Sequence, residues 1–339
     1  MTTAVRKPET LLLMNRRTRE LQFGPEEMAR LRAVAALGEP VAAEELNSER
    51  VRARLAETEV LITSWGCPML DEPVLRAAPR LRAVLHAAGS VRGHVPAAAF
   101  DRGLLVTTAA DANAEPVAWY TLAAVLWAFK KVPFLAADAR RFREDWSYVD
   151  RRGELSGRDR TVVLVGFSRI GRRVTRLLRD LGLARVLVVD PVVDPAEIIA
   201  AGAEPASLTE ALPQADVLSL HAPALPGTRH LIGAAELAAL PVDSVLVNTA
   251  RGEVIDHAAL EAACAAGLHA ILDVTDPEPL PATSPLYDLP NVLLTPHIAG
   301  SLGSETRTMS AAAITELERY AAGLPPVSPV TAQALAVQA

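Results

Sequence analysis

The sequence predicts an α/β protein made of two doubly wound domains, each built on a parallel sheet. Three observations lead there. Short apolar runs of strand length alternate with helical patterns, as parallel strands joined by crossover helices do. That alternation occurs as two separate series, one in the first third of the chain and one beginning near residue 161. A chain of 339 residues also exceeds what one compact core holds, so two cores are expected.

In the first series the strand candidates are TLLLMN (10–15), EVLITSW (59–65), LRAVLHA (81–87) and LLVTTA (104–109), with PEEMARLRAVAAL (25–37) read as a helix. The stretch ADANAEPVAWYTLAAVLWAFKKVP (110–133) bridges the two series. Its small polar opening reads as a hinge and the remainder as a long connecting helix. The second series runs TVVLVGF (161–167), RVLVVD (185–190), DVLSLHAP (216–223), SVLVNTA (244–250), HAILDV (269–274) and NVLLTP (291–296). Within it, Ser207 and Glu210 have capping-box spacing and Asp256 precedes a helical pattern as an N-cap. The last helical pattern, ETRTMSAAAITELERYAAG (305–323), ends at Gly323 before two prolines, and with so little chain left it is expected to return to the first domain. The expected division is 1–112 with 303–339 for one domain and 113–302 for the other.

Composition excludes several partners. Half of the residues are apolar and the formal charge is −6, with lysine and arginine spread along the chain. Nucleic-acid binding needs a concentrated basic face, so none is expected. The longest uncharged apolar stretch, 117–129, is shorter than the ~18–20 residues of a membrane span, and LLLM (11–14) is too short for a signal-peptide core. The two cysteines, Cys67 and Cys264, have no metal or redox spacing and suit a reducing compartment. A cytoplasmic protein with no membrane partner is expected. His86, His94, His221, His230, His257 and His269 lack metal-ligand spacing, so no metal is expected.

Chemistry first surfaces at TVVLVGFSRIGR (161–172), an apolar run, two glycines and arginines opening a helix. This is nearly a phosphate-binding dinucleotide turn, with Gly166 for the tight bend and Gly171 for close helix packing. Ser168 stands where the middle glycine would be, and its hydroxyl could donate to a phosphate oxygen. Arg169 and Ile170 follow in the turn. Asp190 ends the next strand, the place for a carboxylate on the ribose hydroxyls of NAD, where its charge opposes the extra phosphate of NADP. The rival reading is a nucleophile elbow presenting Ser168, although its closing glycine falls one residue late.

Three polar residues then follow three successive strands. Arg251 comes after SVLVNTA, Glu278 after HAILDV and His297 after NVLLTP. The carboxyl edge of a parallel sheet is where open α/β folds bind ligands. A guanidinium grips a carboxylate, an imidazole exchanges protons near neutral pH, and an adjacent carboxylate fixes the ring's tautomer. Each residue alone has a structural explanation, as a solvated loop side chain or a structural histidine. Their shared position favours a joint task, with hydride moving to or from carbon while His297 exchanges the hydroxyl proton.

On the motifs VGFSRIG (165–171), VVDP (188–191), SLHAP (219–223), VNTARGEVID (247–256), DVTDPEPLP (273–281) and NVLLTPHIAG (291–300), the chain resembles the D-2-hydroxyacid dehydrogenase family, which includes glyoxylate/hydroxypyruvate reductases and phosphoglycerate and formate dehydrogenases. The resemblance implies a Rossmann-like NAD-binding domain, a flavodoxin-like substrate domain, an active-site cleft between them, and a homodimer. It implies reversible reduction of a small 2-oxo acid to a D-2-hydroxy acid. Arg251 would bind the substrate, and His297 would be the acid/base with Glu278 as partner. Gly166, Ser168, Arg169, Ile170, Gly171, Asp190, His221, Ala222, Pro223, Thr228, Thr249, Ala250 and Asp273 would line the cofactor. Gly89, Ser90, Val91 and Arg92, in HAAGSVRGHV (86–95), would border the substrate. That loop lacks the family's aspartate, and Trp119 stands where an acid is common. Arg92, as a second cation, would favour a dicarboxylate or phosphorylated substrate; the alternative is a solvent-facing loop arginine. Two other functions stay open at this point, a serine hydrolase using Ser168 and a non-enzymatic NAD-sensing regulator.

Overall fold

The structure, a computed structural model, describes residues 6–38, 41, 42, 46 and 48–337. Residues 1–5, 338 and 339, at the ends of the expected substrate domain, lie outside the described residues. The chain opens with β1 (Glu9–Met14), whose Leu11, Leu12 and Leu13 are at most 1% exposed. Next come α1 (Arg16–Gln22), capped by the Asn15 side chain, and α2 (Pro25–Val34), with proline in the first turn where no N–H is needed. Then follow β2 (Ala36–Leu37), β3 (Val41–Ala42), α3 (Glu49–Glu57), β4 (Val60–Thr63), α4 (Glu72–Ala77), β5 (Ala83–His86), α5 (Ala97–Asp101), β6 (Leu105–Thr108) and α6 (Ala110–Phe129). After Lys131 in a left-handed conformation (φ 50°) comes α7 (Val132–Phe142).

The next elements are β7 (Arg160–Val165), α8 (Arg169–Leu181), β8 (Ala184–Val189), α9 (Pro195–Ala200), β9 (Glu204–Pro205), α10 (Leu208–Ala211), β10 (Val217–Leu220), α11 (Ala234–Ala238), β11 (Val245–Asn248), α12 (His257–Ala265), β12 (His269–Leu272) and β13 (Val292–Leu294). The chain closes with α13 (Thr306–Ala321) and α14 (Ala332–Val337). Ser207 and Glu210 form the capping box of α10, and Asp256 caps α12.

Two compact units result, 1–114 with 301–339, and 115–300. In the first unit all strands are parallel in the order β2-β1-β4-β5-β6, with β3 also on β1. Successive side chains point to opposite faces of a strand, and each face has its own core. Leu11, Leu13, Leu61, Val84 and Val106 fill one. Leu12, Met14, Ile62 and Leu85 fill the other, completed by Ile314 and Leu317 of α13. Ser310 of that helix donates to the carbonyl of Gln22 at 2.8 Å.

The second unit has a seven-stranded parallel sheet, β13-β12-β11-β10-β7-β8-β9. Its order reverses beside β7, so the turns following β7 and β10 open at a topological switch point. One face packs Val163, Val165, Leu218 and Leu246; the other packs Val162, Leu164, Val217 and Val247 beneath α6 and α8. Among the described residues no helix is long and apolar enough to cross a membrane.

Three details depart from the expected elements. The helix from residue 25 stops at Val34, and Ala36–Leu37 pairs with β1 instead. Three strands of two residues each, β2, β3 and β9, are too short to carry a period in sequence. Residues 110–114, expected as a hinge, already form the first turn of α6.

Burial holds three histidines neutral. His86, His221 and His269 are at most 8% exposed, and desolvation is the main cause that pushes their pKa down, to about 3, 4 and 3 respectively. Each regains an ordinary value near 6.5 when the chain unfolds, so below that pH the unfolded state binds more protons and stability falls. At pH 5 the loss is about 2 kcal/mol per histidine. Denaturant titrations at pH 7 and pH 5 are expected to reveal this fall, and His86→Gln to lessen it; equal stability at both values would contradict it.

Candidate active site

The turn after β7 has room only for glycine at two points. Gly166 takes φ 102°, and a Cβ there would stand 2.7 Å from the carbonyl carbon of His221. A Cβ on Gly171 would overlap the carbonyl oxygen of Gly166. The start of α8 can therefore lie tight against the strand edge, its first N–H groups free for an anion. Ser168 sits at the N-cap, exposed, with a hydroxyl that does not cap the helix. Its φ of −92° lies outside the left-handed region, and among the described residues no histidine is hydrogen-bonded to its hydroxyl, so the strained, base-paired serine of a nucleophile elbow is not what stands here and the hydrolase reading is not favoured. Arg169 and Ile170 open α8, both half-buried, and Ile170 packs on the core.

Asp190 ends β8 within reach of this turn. One carboxylate oxygen accepts the N–H of Phe167 at 2.7 Å, and the other accepts from Val192 and Val193. It thus fastens the glycine turn while one carboxylate oxygen keeps a lone pair unused. Across the turn lies His221, 8% exposed, its Nε2 3.0 Å from Ser219 Oγ. Ala222 and Pro223 carry the chain onward, and the Thr228 hydroxyl staples this loop by donating to the Pro223 carbonyl.

The turn after β11 is shaped by Asn248, whose side chain accepts from Ala250 N–H and donates to Arg251 O, both at 3.0 Å. Thr249 points inward and pairs with Thr121 of α6 at 2.9 Å. Arg251 is half-buried, with Nη1 2.6 Å from the Ala250 carbonyl. Desolvation lowers its pKa, and the nearby Glu278 and Glu253 oppose that shift. Gly252 makes the neighbourhood possible, because a Cβ there would overlap the backbone of Thr275 in the next loop.

His297 and Glu278 meet, with Nδ1 2.7 Å from the carboxylate and both side chains nearly half-exposed. The histidine is in the left-handed region at φ 53°. What holds it there is Asp273, only 2% exposed. The Asp273 carboxylate accepts from Thr295 Oγ1 (2.7 Å), Ile298 N–H and Ala299 N–H (2.8 Å each), and its backbone carbonyl accepts His297 N–H at 2.9 Å. Tyr120 of α6 extends the chain, its hydroxyl 2.6 Å from Thr295. Asp273 and Thr249, expected to line a cofactor, thus have their side chains engaged in building the loops. Tyr120, Thr295, Asn248 and Gly252 were missed in the sequence, where only the short spacing from Thr295 to His297 in LTPH hinted at a shared turn.

In the first unit, Gly89 and Ser90 lie in the half-buried loop after β5, where Thr108 Oγ1 donates to the Gly89 carbonyl at 2.5 Å. Two of the expected substrate contacts are otherwise engaged. Val91 is 4% exposed and belongs to the core. Arg92 Nη2 donates to the Leu335 carbonyl at 2.6 Å, so this cation is bound to the C-terminal segment and is not turned to solvent. Among the described residues no group of three His, Cys, Asp or Glu side chains could hold a metal ion.

Residues 122–299 match the family model described as D-isomer specific 2-hydroxyacid dehydrogenase, NAD binding domain. The chain is 36% identical over 276 residues to D-3-phosphoglycerate dehydrogenase of Mycobacterium bovis, covering 79% of this chain and 51% of that protein. It therefore spans about half the length of the first curated relatives that it matches. It is 33% identical over 268 residues to glyoxylate reductase of Korarchaeum cryptofilum, covering 78% of this chain and 79% of that one. Among solved structures, a protein from Thermus thermophilus is similar at 31% identity and a TM-score of 0.76, covering 95% of this chain and all of the other.

Gly252 offers a direct test of the loop packing. Gly252→Ala would force the Arg251 and Thr275 loops apart, at a cost of about 1–3 kcal/mol for an overpacked backbone contact. A lowered melting temperature is expected, and wild-type melting would contradict the packing described.

Proposed function

The chain belongs to the D-isomer specific 2-hydroxyacid dehydrogenase family, and from that premise we propose that it is an NAD(H)-dependent oxidoreductase acting on a small D-2-hydroxy acid or its 2-oxo acid. The observation that carries this reading is the 2.7 Å pairing of His297 Nδ1 with Glu278, at the same strand edge as Arg251. The cofactor fits the residues present: two positions closed to any Cβ, an exposed hydroxyl at the start of α8, and a carboxylate ending β8. Bound there, NAD(H) would supply or accept the hydride at C2 of the substrate.

The chain's own residues do the rest. With Nδ1–H held by Glu278, neutral His297 leaves Nε2 free to take the hydroxyl proton during oxidation. In reduction the imidazolium returns that proton from Nε2, and the carboxylate offsets its charge. Arg251 binds the substrate carboxylate, and its low exposure strengthens that hydrogen bond. Asp190 supports a preference for NAD over NADP. The reading includes a cytoplasmic homodimer, supported by the family resemblance and by two buried, unbridged thiols. The names of the relatives support glyoxylate-sized or phosphorylated 2-oxo acids as the first to assay.

Steady-state kinetics with NADH and a panel of 2-oxo acids tests the assignment. Arg251→Ala is expected to lower kcat/KM by about 3–5 kcal/mol of transition-state binding. His297→Ala is expected to abolish turnover while NADH fluorescence titration still reports binding. Retained turnover in either variant would overturn the assignment.

A further inference from the structure

A second polar site lies in the second unit at the opposite end of its sheet from Arg251, where β7, β10 and β11 begin. A cavity of about 140 Å³ opens there, lined by Lys131, Glu154, Arg160, Asp216, Asp243 and Ser244 among others. Its interior has donors to spare. Ser244 is 2% exposed and its hydroxyl has no hydrogen-bond partner among the described residues. Arg160 uses Nε on the Ser156 carbonyl at 3.1 Å and Nη1 on Asp216 at 2.5 Å, but its buried Nη2 has no hydrogen bond, with Glu154 no nearer than 4.0 Å. Lys131 is 3% exposed and donates to the Asp243 carbonyl, which occupies one of its three N–H bonds.

The acceptors, by contrast, are already engaged or peripheral. One oxygen of Asp216 accepts from Arg160 and the other from Thr161 N–H at 2.8 Å. Asp243 and Glu154 are exposed residues at the rim. Buried donors are nearly always paired, so the missing partner is an acceptor. Arg152 nearby is paired with Asp138 at 2.6 Å and Arg160 with Asp216, so the cavity's own call on a ligand comes from the unused N–H and O–H donors of Lys131, Arg160 and Ser244.

We propose that this cavity binds one small oxyanion, of sulfate, phosphate or short-carboxylate size, between Lys131, Arg160 and Ser244. Lys131 supplies a pH dependence. Its burial, with Arg160 and Arg152 acting the same way, pushes its pKa down to about 8, while Asp243 and Asp216 oppose the shift. His269 lies in the same field. The charged lysine is the binding form, so affinity falls as pH rises through about 8.

Calorimetric titration of the whole protein with sodium sulfate, against sodium chloride at equal ionic strength, tests the proposal. Saturable binding is expected at pH 7 with a Kd on the order of 1 mM, weakened about tenfold in Ser244→Ala by loss of one hydrogen bond. Binding is expected to vanish in Lys131→Met and to weaken in the wild type at pH 9, where sulfate keeps its charge. Phosphate and acetate arms rank the anion classes. Should Lys131→Met fail to fold, Ser244→Ala decides, its fold checked by circular dichroism and by wild-type melting in chloride. Absence of saturable binding, leaving a cavity that holds water alone, overturns the proposal. So does unchanged affinity in Ser244→Ala, which would place the sulfate elsewhere, for instance at the glycine turn.

Discussion

The buried carboxylate of Asp273 fixes the ligand-facing edge of the second unit. A charge removed from water is costly unless donors surround it. Asp273 is supplied by a threonine hydroxyl and two consecutive backbone N–H groups. Those two N–H groups, of Ile298 and Ala299, can converge on one carboxylate only because the chain reverses at His297, which takes up the left-handed backbone. Left-handed geometry in a non-glycine residue is uncommon and persists where surrounding bonds compel it. Here the compulsion comes from the aspartate, and the outcome is an imidazole delivered to Glu278.

Close backbone approach does for the other two loops what charge does for this one. Gly252 lets the Arg251 turn press on Thr275, so that the guanidinium and Glu278 feel each other's field. Gly166 and Gly171 do the same between the β7 turn, His221 and α8. Below these contacts the strands are largely apolar, with Val163, Val165, Leu218, Leu246 and Leu272 packed on one face, and the polar groups stand at their carboxyl ends.

The architecture was legible because parallel strands buried on both faces read as continuous apolar runs; LLVTTA and HAILDV announce themselves without help from neighbours. Strands of two residues such as β2 and β9 have no such signature, since pairing with β1 or β8 defines them. At the candidate site, Arg251, Glu278 and His297 were legible as polar residues just past strand ends, and His297 and Glu278 prove to be in contact. The supports were not. Nothing near Asp273 in the sequence distinguishes a carboxylate turned inward to hold a loop from one facing a cofactor, because its donors lie beyond the next strand. The surroundings of Arg92 were hidden for a similar reason, as its partner, the Leu335 carbonyl, lies 243 residues later in the chain.

That late arrival matters for how the molecule is made. The first unit is discontinuous, and Ile314 and Leu317 belong to the same apolar cluster as Leu12 and Ile62. As the chain emerges from the ribosome, strands β1, β4, β5 and β6 come out with α1 and α2, whose side of the sheet gains Phe23 and Leu31, yet still lack α13, which completes that cover. The unit spanning 115–300 is contiguous and can close while synthesis continues. The order of completion is thus inverted relative to the order of translation, and the early strands keep part of one oily face open until residues 306–321 have been made.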